Sequence, residues 1–220
     1  MTIERCTNST ALVRLATWLS PAFPTGAFSY SSGLETAYAD GVIKTQSDLQ
    51  AWISWSLTAG SIWNDLILCA AAHRQNETIA DLCELGCALA PSKERFSETI
   101  EQGSAFIKAA APWVNKIEPQ ETCPLPIAVG MTARASEIPV DMLMPVFAQA
   151  QTSNLVQAAM RMGNLGQHQG VEILASLEET QISTANKAVT ATLDDLGTAT
   201  LFADLLTLKH ETTEPRIFRS

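Results

Sequence analysis

Thr45-Gln46-Ser47-Asp48-Leu49-Gln50-Ala51-Trp52-Ile53-Ser54-Trp55-Ser56-Leu57-Thr58-Ala59-Gly60-Ser61-Ile62-Trp63-Asn64-Asp65-Leu66-Ile67-Leu68-Cys69-Ala70-Ala71-Ala72-His73-Arg74 decides the fold class. Leu49, Trp52, Ile53, Leu57, Trp63, Leu66 and Ile67 recur near 3.6-residue spacing, so they share one stripe of an amphipathic helix. Thr45, with Asp48 three residues on, gives that helix an N-cap signal. The spacing predicts one long helix from this cap to about Arg74.

The same period runs outward in both directions. Leu12, Leu15, Trp18 and Leu19 predict a short helix over 11–19. Ser32-Gly33-Leu34-Glu35 has capping-box spacing, and the helix after it should end at Gly41. A helix over about 77–89 stops before Pro91, and Ser92 can cap the next, which carries Phe96, Ile100, Gly103, Ile107 and Ala110 until Pro112. Glu118–Pro126 contains three prolines and reads as a loop between two helical layers. Leu125–Ala135 is another helix, and Pro139 suits the N1 position of a long segment through Met162, which Pro145 should kink or split. Helices near 166–179 and 198–210 follow, then ten irregular residues. Strand patterning is nearly absent, and the expectation is an all-α single domain over 1–220 with about eight to ten helices. Its N-terminus (1–9) is expected to be flexible and its C-terminal tail (211–220) to be ordered by a partner.

The charge balance narrows the partners. A formal charge of −9 disfavours nucleic acid and anionic membranes. Hydrophobic residues at 46% against 17% charged imply a large core or apolar surface hidden in a complex. The start of the chain lacks the layout of a signal peptide, and no apolar run reaches a membrane span, so the cytoplasm is the expected location. Five scattered cysteines, an odd number, argue against a disulfide framework.

Catalytic and metal signatures fail one by one. No glycine-rich turn ends in Lys-Ser/Thr, so a phosphate has no cradle, and Gly163-Asn164-Leu165-Gly166-Gln167 follows a helix without a lysine. Cys83 and Cys87 share a helix face but lack a nearby second pair, and buried thiols behave as small hydrophobes. His210-Glu211-Thr212-Thr213-Glu214 lacks the second histidine of a zincin helix, and Asp194-Asp195 lacks a third carboxylate at helical spacing. We expect no catalytic residue, no cofactor and no resident metal. The alternative of a different class is an all-α metal-dependent enzyme with a cryptic site built from His73, His168 and cysteines.

Three segments point elsewhere. Ser20-Pro21-Ala22-Phe23-Pro24-Thr25-Gly26-Ala27-Phe28-Ser29-Tyr30-Ser31-Ser32-Gly33-Leu34-Glu35 combines backbone-fixing prolines and glycines with large aromatics, as a docking or packing loop does. Ala158-Ala159-Met160-Arg161-Met162-Gly163-Asn164-Leu165-Gly166-Gln167 precedes Gly170. Asp204, His210-Glu211-Thr212 and Arg216-Ile217-Phe218-Arg219-Ser220 close the chain. In identity, order and spacing the three together resemble the urease accessory protein UreF family, across essentially the whole chain.

That resemblance implies an all-α, usually dimeric, non-enzymatic scaffold for assembly of the urease dinuclear nickel site. It would bridge UreD (also called UreH) and the GTPase UreG, regulate GTP hydrolysis, and couple it to nickel delivery into apo-urease. Gln167-His168-Gln169-Gly170 departs from the family's usual Gln-Thr-Asp/Glu-Gly, so His168 is a possible transient nickel contact. Candidate partner-binding residues are Pro24, Gly26, Phe28, Ser29, Tyr30, Gly33 and Glu35 in the loop, and Arg161, Gly166 and Gln167 in the second segment. His210, Glu211, Arg216, Phe218, Arg219 and Ser220 complete the set.

Overall fold

Four hydroxyl side chains open helices by accepting a backbone N–H of the first turn. In the computed structural model, which describes residues 7–114, 122–163 and 165–220, these are Thr7, Thr45, Thr78 and Ser92. Thr45 and Asp48 form a reciprocal capping box. The helices are α1 (Asn8–Trp18), α2 (Leu34–Ala39), α3 (Gln46–Ala59), α4 (Ser61–Arg74), α5 (Ile79–Ala88) and α6 (Lys93–Ala110). They continue as α7 (Leu125–Ala135), α8 (Val140–Arg161), α9 (Gln167–Ser176), α10 (Glu178–Thr190) and α11 (Leu201–His210). Short 3-10 turns lie at Ala27–Ser29 and Leu193–Asp195. The fold is all-α.

The segment expected as one helix over 45–74 is two. Gly60 takes an extended conformation (φ −131°, ψ −150°), ending α3 and starting α4. Ala199 N donates to Ala59 O at 2.8 Å, so a distant segment satisfies a carbonyl that the break releases. Pro139 is the N-cap of α8 rather than its first residue. Pro145 does not split α8, which is helical from Val140 to Arg161. Proline there frees only the carbonyl of Asp141, an exposed residue of the first turn, so little is lost. The region read as one helix to 179 is α9 followed directly by α10.

Central to the packing is α4, with every residue from Asn64 through His73 buried and neighbours α3, α7, α8 and α10. Its closest partner is α7. A Cβ built on Gly130 would lie 2.2 Å from Cys69 O, so only glycine lets these two backbones approach. Buried apolar side chains from Ala11 in α1 to Phe218 in the tail form one cluster. Among the described residues no helix is long and apolar enough to cross a membrane. The expected N-terminal flexible stretch falls mostly on residues 1–6, outside the described residues; Thr7–Ser9 cap and begin α1. Residues 118–121 of the proline-rich loop also lie outside them, whereas Leu125 and Pro126 already belong to α7.

Candidate functional site

An aromatic cluster roots the Pro/Gly loop. Phe23 packs on Phe106 of α6 and on Trp113, with ring centroids 5.5 and 6.4 Å apart, and Trp18 meets the same two rings edge-on at 6.2 and 6.1 Å. From that anchor the chain passes exposed Pro24 and turns at Gly26 (φ +76°) and Gly33 (φ +81°). A side chain at Gly33 would also meet Thr207 Cγ2 at 2.9 Å. The capping box expected at Ser32 does not form. Gly33 occupies the N-cap of α2, Ser31 Oγ accepts from Glu35 N, and the Glu35 carboxylate is engaged elsewhere.

Its partner is the C-terminal tail. Ile217 N and Phe218 N donate to the two Glu35 oxygens at 2.6 and 2.9 Å. Fully buried His210 sits between acids, Nε2 at 3.1 Å from Glu35 and Nδ1 at 2.7 Å from Glu94, and Arg216 pairs with Glu94 as well. Arg219 binds both Glu101 oxygens at 2.7 and 2.9 Å and lies 5.5 Å from the Tyr30 ring centre. The Tyr30 hydroxyl donates to the same carboxylate at 2.8 Å. Backbone bonds join Arg219 N to Ser29 O (2.9 Å) and Ser31 N to Ser220 O (2.8 Å). Glu211 accepts from Lys93 N at 2.8 Å. The tail expected to await a partner is held here by its own chain.

These contacts set the ionisation. Burial pushes Glu35 up, but the amides of Ile217 and Phe218 and the nearby His210 outweigh it and hold the carboxyl below its usual range. Arg219 first, then Tyr30, holds Glu101 low. Burial, followed by the Glu101 contact, raises Tyr30.

Arg161, at the end of α8, reaches the loop and the tail together. Its Nη1 donates to the Phe28 carbonyl, and its guanidinium lies 4.8 Å from the Phe28 ring centre and 4.6 Å from that of Phe218. Loop, α8 terminus and tail therefore make one platform, with Phe28 and Ile217 left 69% and 70% exposed. Gly166 and Gln167 take no part in these contacts; they open α9, where Gly166 N donates to Gln169 Oε1.

The platform continues inward through residues that the sequence reading missed. Ser220 Oγ donates to Glu98, Glu98 pairs with Arg95 at 2.9 Å, and Arg95 pairs with Asp65 at 2.8 Å. Gln151 of α8 donates to Asp65. Burial pushes Asp65 up, and Arg95 only partly offsets this. For Arg95 itself burial favours the neutral form, but Glu98 and Asp65 outweigh it and raise its pKa. One sign was readable: Asp65 is the sole acid in the apolar run that became α4.

The metal-site alternative does not assemble. His73 is buried against Ile138 O, whereas His168 is exposed beside Glu172. Among the described residues no three His, Cys, Asp or Glu side chains are grouped to hold a metal ion.

Fold and platform define an all-α protein in which two segments nearly two hundred residues apart build one surface platform. The UreF family model matches residues 43–178. The urease accessory protein UreF of Rhizobium etli (strain CIAT 652) is 44% identical over 216 residues, covering 96% of each chain. That of Brucella ovis is 42% identical over 219 residues, covering 96% of this chain and 95% of its own. The chain belongs to the UreF family of urease accessory proteins.

Proposed function

We propose that this chain is a non-enzymatic scaffold of urease maturation, working in the cytoplasm as a homodimer. It bridges UreD (UreH) and UreG, regulates GTP hydrolysis by UreG, and through it the delivery of nickel, as cargo, into apo-urease. The observation that carries this reading is the platform. It sets exposed Phe28 and Ile217 beside Arg161, Arg216 and Arg219, and aromatic and arginine side chains dominate binding energy at protein interfaces. Residues of all three segments that resemble the family contribute to it, Arg161 being the contribution of the middle one. Gly166 and Gln167 are a separate contact on the same partners.

The test is co-purification with UreD and UreG, with the GTPase rate of UreG as a second readout. Phe28→Ala combined with Ile217→Asp, two exposed positions, should leave the helical fold intact and weaken the complex at least about tenfold. Deletion of residues 216–220 should do the same more severely. A truncated chain that still folds, assembles and supports urease activation would refute the platform's role.

A further inference from the structure

Three cysteines from two segments of the chain meet beside α6. Cys83 and Cys87 lie one turn apart on one face of α5, and Cys123 stands just before α7. The backbone at Cys123 is wedged between two helices at their glycines. A Cβ built on Gly103 of α6 would lie 1.9 Å from Cys123 O, and one on Gly86 of α5 would meet Pro124 Cγ at 3.1 Å. Leu125 N also donates to Thr99 Oγ1 of α6 at 3.2 Å. Gly86 is three residues beyond Cys83 and shares its side of α5, so the face that receives Pro124 also presents Cys83 to Cys123.

The thiols engage one another. Cys83 and Cys123 share a thiol–thiol hydrogen bond, whereas Cys87 bonds to Thr122. Among the described residues no third ligand joins them to hold a metal ion. Burial alone makes a thiol an inert small hydrophobe, as at Cys69 in α4, whose pKa it pushes up. The contact sets the other pair apart. The bond from Cys123 holds Cys83 below the usual thiol range against the effect of burial, while the same bond, and then burial, raises Cys123. An easily ionised sulfur beside a proton-bearing one is the arrangement of an attacking and a resolving thiol. Cys83 is 4% and Cys123 2% exposed, which admits a reagent close to water in size and excludes a bulky disulfide.

We propose that Cys83 and Cys123 are a dithiol oxidised by a small hydroperoxide to a disulfide that staples α5 to the start of α7. The Cys83 thiolate attacks the terminal peroxide oxygen and the O–O bond breaks. The departing oxygen takes up the proton that Cys83 released, leaving as an alcohol, or as water from hydrogen peroxide. Cys83 is then a sulfenic acid. The Cys123 sulfur attacks it, the S–S bond forms, the S–O bond breaks, and the hydroxyl leaves with the Cys123 proton as water. The two sulfurs together give up two electrons, and the peroxide gains them. The loop so closed contains all of α6, whose Glu94, Glu98 and Glu101 hold the tail, so oxidation ties down the acidic side of the platform. The inference does not depend on which proteins dock there.

The experiment treats the reduced full chain with a small excess of hydrogen peroxide, blocks remaining thiols with N-ethylmaleimide and maps the crosslinked peptides. The unaltered chain and Cys87→Ser should each give one intrachain crosslink, Cys83 to Cys123, reversed by dithiothreitol. Cys83→Ser and Cys123→Ser should give none, and in Cys123→Ser dimedone should trap the sulfenic acid on Cys83. Oxidised glutathione should leave the pair reduced. The crosslinked chain should melt at least about 4 °C above the reduced one, with no such shift in peroxide-treated Cys83→Ser. The proposal is overturned if peroxide leaves the pair unlinked in the folded chain, if the crosslink runs through Cys87 or forms only in denaturant, or if dimedone labels nothing in Cys123→Ser. Equal oxidation of the pair by glutathione disulfide, or a linked chain that melts no higher, overturns it as well.

Discussion

Replacing Glu35 by alanine should release the tail without unfolding the helices. Its carboxylate accepts from two backbone amides and faces His210. Ile217 is 70% exposed, so its amide regains water at little cost, but Phe218 is 3% exposed and its amide does not. An unpaired buried donor, with the loss of hydrogen bonds to a charged acceptor, amounts to about 2–3 kcal/mol. That is a shift of about 30- to 150-fold in the docked-to-undocked equilibrium of the tail. Native-state hydrogen exchange reads it directly: the amides of residues 217–219 should lose protection by that factor, whereas those of Ala70 and Ala71 in α4 should hold. Glu35→Gln, which keeps one carbonyl acceptor, should fall between. Unchanged tail protection, or an equal loss in α4, would refute the argument that Glu35 is the tail's local anchor.

Other outcomes follow from the same contacts. Because Glu35 and Glu101 are held below their unfolded values, their share of stability is present above pH ~4 and is lost as pH falls through the folded values. The Phe218 amide resonance should therefore move toward its disordered position under acid before the signals of α4 do. Arg95→Met leaves Asp65 and Glu98 buried without a cation and should cost about 3–5 kcal/mol in denaturant unfolding. Asp65 is already raised by burial, so part of that loss should return as pH drops from 7 toward 5, the folded state then taking up protons. Gly130→Ala forces a methyl against Cys69 O and should lower stability by about 1–3 kcal/mol, measured as a midpoint shift at constant m. Phe106→Ala removes the ring that both Trp18 and Phe23 pack against, and should cost about 3–5 kcal/mol and loosen the loop.

Most of the helices were legible because their signals are local. Thr45 and Ser92 cap where their spacing said, Gly41 takes its positive φ just past α2, and α7 spans the expected Leu125–Ala135. The break at Gly60 was not legible, because Ala199, far along the chain, completes it. Nor was α10, whose buried face is Gln181, Thr184, Ala185 and Ala188, too small and polar to show a hydrophobic stripe. For the platform, the sequence flagged most members individually. It could not pair Glu35 with Phe218 or Glu101 with Arg219, since nothing local links a carboxylate to a tail more than a hundred residues away. The buried Asp65–Arg95–Glu98 chain was invisible for the same reason, since each residue alone looks like an ordinary helix charge.

The bond between Ser31 and Ser220 spans 189 residues, and that distance is also an interval of time. At ribosomal rates of about 5–20 residues per second, the loop waits roughly 10–40 seconds for the segment that closes over it. Until the tail is made, Glu35 and Glu101 lack their partners Ile217, Phe218 and Arg219. The platform thus forms after the helices that flank the loop have been made. Without residues 216–220, Glu35 and Glu101 lose the Ile217, Phe218 and Arg219 contacts that hold them, and Ser31 loses its bond to Ser220.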